Sequence, residues 1–82
     1  MKVYLVFNEY YDYNEYSGGS MLVGVYSSME SAISARNDFV AEEMNCPAKQ
    51  SIDAENNPVI TKFFNGKMCE EITFTIEEWL VQ

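Results

Sequence analysis

The chain has 82 residues, 48% of them hydrophobic and 15% aromatic, and its 13 Asp and Glu stand against 5 Lys and Arg with no His, a formal charge of −8. That length allows one domain with one core, burying about 60–65% of the surface the unfolded chain exposes, and the apolar content is too high for global disorder. A charge this negative opposes direct binding to nucleic-acid phosphates or to an anionic membrane leaflet.

Lys2 to Glu9 opens the chain with Val3, Leu5 and Phe7 alternating with Tyr4, Val6 and Asn8, the period of two of a half-buried strand. Glu9 to Ser20, EYYDYNEYSGGS, mixes tyrosines with acids and ends in Gly18-Gly19, and reads as a long hairpin connection. Met21 to Tyr26, MLVGVY, is the short apolar run of an inner strand, with Gly24 marking a bulge or a close backbone approach.

Ser27 and Glu30 have the S-x-x-E spacing of a capping box, which predicts a helix from about Ser28. Met29, Ala32, Ile33, Val40 and Met44 recur at helical spacing, widened by Ala35 and Phe39, while Asp38, Glu42 and Glu43 fall on the polar side. Pro47 steers its neighbour out of α geometry, so the helix should end near Cys46.

Residues 47–57, PAKQSIDAENN, read as an exposed, flexible connection, with Ile52 the only sizeable apolar side chain. Pro58 to Phe64 alternates Val59, Thr61 and Phe63 with Ile60, Lys62 and Phe64, and Asn65-Gly66 is a strong two-residue hairpin signal. The returning strand sets Ile72, Phe74 and Ile76 against Thr73, Thr75 and Glu77. Trp79, Leu80 and Val81 either prolong it or fold over an open sheet edge.

The expected fold is α+β, in the order β-β-α-β-β, with a mostly antiparallel four-stranded sheet packed on one helix and no second domain. The uncovered face, holding Tyr4 and Val6 or their alternates, then needs the C-terminal tail, another chain or water.

KVYLVFNEY, LVGVYSSMESAISA and ITFTIEEWLV together resemble a family of small bacterial and phage domains of unknown function. That family opens with K-V-Y-L and passes through G-V-Y-S-x-x-E-x-A into a helix, matched here by Gly24, Val25, Tyr26, Ser27, Glu30 and Ala32. The resemblance supports the fold and supplies no catalytic residues. It implies a phage or mobile-element context, in which small acidic proteins act as inhibitors of host systems.

Without His, Ser-His and Cys-His nucleophile arrangements are excluded, and a metal site would need carboxylates alone. Glu42-Glu43, Glu70-Glu71 and Glu77-Glu78 are adjacent in sequence, so on a strand their two members point to opposite faces. Asp12, Asn14 and Glu15 resemble the start of a calcium loop, but Ser17 replaces the required Gly and Val23 the bidentate Glu. The glycines lack phosphate-loop spacing, and Lys2, Arg36, Lys49, Lys62 and Lys67 are scattered among acids. No cofactor, metal or enzymatic activity is expected. Cys46 and Cys69 lack CxxC spacing and read as reduced, partly buried thiols, with one disulfide as the alternative in an exported chain. The N-terminus reads as a strand and no run is long and apolar enough to span a membrane, so a cytoplasmic location is expected.

The segment that stands out is Glu9, Tyr10, Tyr11, Asp12, Tyr13, Glu15 and Tyr16. Tyr gives rigid contact area with a polar tip, and acids between the rings pair with Arg and Lys of a partner. Packing of some rings on the open sheet face is the competing reading. The expected function is therefore a non-enzymatic binding protein, an inhibitor of a host or defence protein of the CRISPR type. Its acidic, Tyr-rich surface would occupy a basic, nucleic-acid-binding protein surface. The alternative is a small-molecule or peptide-binding module, as a homodimer or alone.

Overall fold

A computed structural model describes residues 1–81. The elements are β1 (Lys2–Asp12), β2 (Ser17–Tyr26), α1 (Met29–Glu43), β3 (Ala48–Ile52), β4 (Pro58–Phe64) and β5 (Lys67–Leu80). They form one antiparallel sheet of five strands, ordered β2-β1-β5-β4-β3, with the helix on one face. The α+β class, the single helix and both expected hairpins are present, but the sheet has five strands where the sequence indicated four.

The added strand is β3, taken from the segment expected to be a flexible connection. AKQSI lacks the apolar alternation that marks a strand, because it is an outer strand held by backbone pairing to β4, with Gln50 opposite Ile60. Residues 53–57 then make a tight turn. The Asp53 carboxylate accepts from the amides of Glu55 and Asn57 at 2.9 and 2.8 Å, and Asn56 takes a positive φ of 65°.

The expected long connection after Glu9 is also shorter than it reads. β1 continues to Asp12 and β2 begins at Ser17, leaving only residues 13–16 as the turn. Tyrosine is a good strand former, and central β1 is paired along its length by β5, from Lys2 opposite Leu80 to Asp12 opposite Glu70. The C-terminal residues through Leu80 prolong β5 and do not fold back.

Directly opposed residues share a face, so the register sorts every side chain. Tyr4, Val6, Asn8, Tyr10 and Asp12 of β1 lie on the helix side with Ile72, Phe74 and Ile76 of β5. Val3, Leu5 and Phe7 lie on the uncovered side with Trp79 and Thr75. Val40, Ile60, Ile72 and Phe74 form the buried cluster, with Phe39 stacked on Phe74 at 6.2 Å between ring centroids.

Helix α1 starts one residue later than the S-x-x-E spacing indicates. Ser28, in an extended conformation, accepts from the Ser31 amide at 3.1 Å and is the N-cap, while Glu30 sits in the first turn, where its charge suits the helix dipole. The helix ends at Glu43, short of Cys46, because the chain must turn back for β3, with Phe63 N donating to Pro47 O. Its buried residues are Ala32 and Val40, flanked by half-buried Ala35, Arg36 and Phe39, while Met29 and Ile33 stay exposed although both belong to the expected stripe. The Arg36 Nε is buried without a hydrogen-bond partner.

Glycine matters at three positions. At Gly18 a Cβ would stand 2.5 Å from the Tyr10 carbonyl oxygen. Val23 is an extra residue in β2, between Val6 opposite Gly24 and Phe7 opposite Leu22, and a Cβ on Gly24 would stand 2.5 Å from the Tyr26 hydroxyl. Asn65 and Gly66 both take positive φ, 52° and 79°, as a two-residue hairpin requires. Among the described residues, no helix is long and apolar enough to cross a membrane.

Candidate functional site: an acidic cleft below the hairpin tip

The molecule is 47 Å long and about 21–22 Å across, the long dimension matching the 14-residue strand β5. The tip of the β1–β2 hairpin carries the Tyr- and acid-rich segment. Its turn is closed by Asp12, whose Oδ1 accepts from the amides of Asn14 at 2.8 Å and Glu15 at 3.2 Å. The residues that resemble a calcium loop are thus an Asx-type turn. Tyr16 follows in the left-handed region at φ 54° with its ring 81% exposed.

Strand alternation divides the segment between two faces. Glu9 and Tyr11 lie on the uncovered face, and the Tyr13 ring meets Tyr11 edge-on at 5.0 Å and donates its hydroxyl to Glu71 at 3.0 Å. That hydrogen bond, helped by the charge on Glu71, raises the Tyr13 pKa above its ordinary value. Tyr13 is held by Glu71 and Tyr11 on that face, while Tyr11 stays 38% exposed.

Tyr10, Asp12 and Glu15 lie on the helix side, where they line a cleft of about 410 Å³ with Asn8, Met21, Glu43, Glu70 and Ile72. Four acidic residues, Asp12, Glu15, Glu43 and Glu70, line it. Asp12 and Glu70 stand directly opposite each other in the β1–β5 ladder, an arrangement of like charges that destabilises a sheet. The C-terminal end of α1 adds its partial negative charge, with no basic residue in the last turn to offset it.

One cation stands beside this group. Lys62, opposite Glu70 in the β4–β5 ladder, forms an ion pair with Glu43, and that contact raises the lysine pKa against the opposing effect of burial. The local charge stays negative. Asn8 also lines the cleft, and its side-chain oxygen is buried without a hydrogen-bond partner.

The structure therefore brings together Tyr10, Asp12 and Glu15 and places Glu9, Tyr11, Tyr13 and Tyr16 elsewhere. Glu9 lines a second depression of about 340 Å³ with Glu55, Asn57 and Glu77. Glu43, Glu70 and Asn8 join the first cleft without any local sequence signal. Only the register, which sets Asp12 against Glu70, and the early end of the helix, which sets Glu43 over the sheet, reveal them.

Among the described residues no three His, Cys, Asp or Glu side chains are grouped so as to hold a metal. Cys46 is exposed, Cys69 is half-buried, and both are free thiols, so the expectation of partial burial holds for Cys69 and not for Cys46. No protein-family model, no curated protein and no solved structure matches this chain.

Proposed function

We propose that this is a non-enzymatic binding protein whose acidic cleft receives basic side chains from a partner protein, on a surface that otherwise holds nucleic acid. The observation that carries this reading is that Asp12, Glu15, Glu43 and Glu70 all line one cleft, with Asp12 and Glu70 opposed as like charges. A sheet that keeps such a pair gives up stability, and a guanidinium or ammonium entering the cleft recovers it by charge-assisted hydrogen bonding. Tyr10, 43% exposed at the cleft mouth, offers a ring face to the same cation.

Inhibition of a host or defence protein in a phage or mobile-element setting, which the family resemblance implies, is the biological form of this proposal. The −8 charge supports it by drawing basic surfaces from a distance.

The test uses an arginine-rich peptide as probe and two triple variants of equal charge. Asp12→Asn/Glu15→Gln/Glu70→Gln empties the cleft of three charges, and Asn at position 12 keeps the turn-closing acceptor. Asp38→Asn/Glu55→Gln/Glu77→Gln removes three charges from exposed positions outside it. The first is expected to weaken binding roughly tenfold or more, and the second only as far as long-range attraction falls. Equal loss in both would reduce the interaction to net charge and remove the cleft from the account.

A further inference from the structure

The two edges of the sheet differ in a way that bears on what can join them. β3 is five residues long and carries Lys49, whose ammonium lies 5.9 Å from the Phe63 ring centroid. β2 is ten residues long, and among the described residues no strand pairs with its outer side. Short length and lysine are usual ways of blunting an edge. β2 has neither, and no proline.

Charge marks β2 out further. No charged side chain occurs between Glu15 and Glu30, whereas β1, β3, β4 and β5 all carry charges. Two copies of a chain at −8 repel each other over most of their surfaces. Along β2 they meet neutral backbone and exposed apolar side chains, with Met21 53%, Leu22 47% and Val25 55% exposed.

We propose that β2 is a self-association edge, on which a second copy of this chain pairs β2 to β2 in antiparallel fashion, giving one continuous sheet across the dimer. Antiparallel pairing sends the two acidic hairpin tips in opposite directions, while parallel pairing would bring them side by side. A two-fold axis normal to the sheet keeps both uncovered faces on one side. Leu22, beside Phe7 of β1, then adds an exposed apolar side chain to the uncovered face at each end of the new ladder, and Val25 lies beyond it. The extra residue Val23 interrupts the ladder, so the unbroken pairing run is Ser17 to Leu22.

Sedimentation equilibrium of the whole chain over micromolar to millimolar concentration tests this. The expected result is a concentration-dependent species of twice 9.4 kDa. Added salt should tighten it by screening the mutual repulsion, the opposite of its effect on capture of a basic partner, so the two proposals fail separately.

Leu22→Glu, and Ser20→Glu at a position already exposed and polar, are each expected to weaken the dimer roughly tenfold or more by placing like charges across the new ladder. Gln50→Glu adds the same charge to the β3 edge and should change it less than twofold. Circular dichroism of each variant confirms that the fold is retained. Amide hydrogen exchange at Ser17 to Leu22 should slow with increasing protein concentration. A monomer at millimolar protein in high salt, full dimerisation of Ser20→Glu, or loss of the dimer in Gln50→Glu would overturn the proposal. Binding of extended peptides by a chain that stays monomeric would assign the edge to a different occupant and overturn it equally.

Discussion

The Lys62–Glu43 pair ties the helix to the sheet at the cleft, and its two members are not equivalent. Removing Lys62 leaves Glu43 unpaired beside Glu70, whereas removing the charge of Glu43 leaves a lysine still facing Glu70. Lys62→Met is therefore expected to cost about 1–2 kcal/mol and Glu43→Gln less than half of that, measured by urea denaturation at neutral pH. Because the folded pKa of Lys62 is raised above 10.5, its contribution is complete below that pH and is lost as pH rises through the folded value. Asp53 has the opposite sign. The Asn57 amide is the main cause holding its carboxyl below 3.8, so its stabilisation is present above that pH and fades on further acidification. Asp53→Asn, which keeps an acceptor oxygen, should flatten the acid limb of a stability-versus-pH curve below the ordinary Asp value of 3.8; an unchanged limb would remove Asp53 as its cause. Neither role was legible in the sequence. An acid becomes a turn clamp or an ion-pair member only through where its neighbours' backbone lies.

The helix start separates two readings of one short motif. The S-x-x-E spacing favours Ser27, and the geometry gives the cap to Ser28. Ser28→Ala should cost about 1 kcal/mol, and Ser27→Ala no more than a few tenths, in matched thermal melts. The reverse ranking would restore the box. At the β4–β5 turn, Gly66→Ala forces a Cβ into the left-handed region at φ 79° and should destabilise by about 1–2 kcal/mol, although no atom stands in its way. The Asn65-Gly66 turn, β4 and the Ile72/Phe74 face were all legible, because turn chemistry and alternation agree there. β3 was not, since a polar outer strand is specified by its partner rather than by its own side chains. The strand content of Glu9–Asp12 was hidden for a related reason. Acids between tyrosines look like loop, and only pairing with β5 makes them a strand.

For the whole molecule, a five-stranded sheet under a single helix leaves two unequal faces. The charge that was evident from composition became a site only through topology. β1 lies between β2 and β5, so Asp12 meets Glu70, and the helix terminates above them with Glu43. Sequence reading selected three members of that cleft, Tyr10, Asp12 and Glu15, but joined them to four neighbours that alternation sends to the tip or the other face. The account's central claim is that this cleft, not acidity at large, receives a basic partner. It is tested most directly by following backbone amide resonances of the ¹⁵N-labelled protein during titration with an arginine-rich peptide. The predicted result is that the largest shifts fall at Asn8, Tyr10, Asp12, Glu15, Glu43 and Glu70 and vanish in the cleft-neutralised variant. Shifts spread evenly over the acids, or centred on Glu9, Glu55 and Glu77, would contradict it.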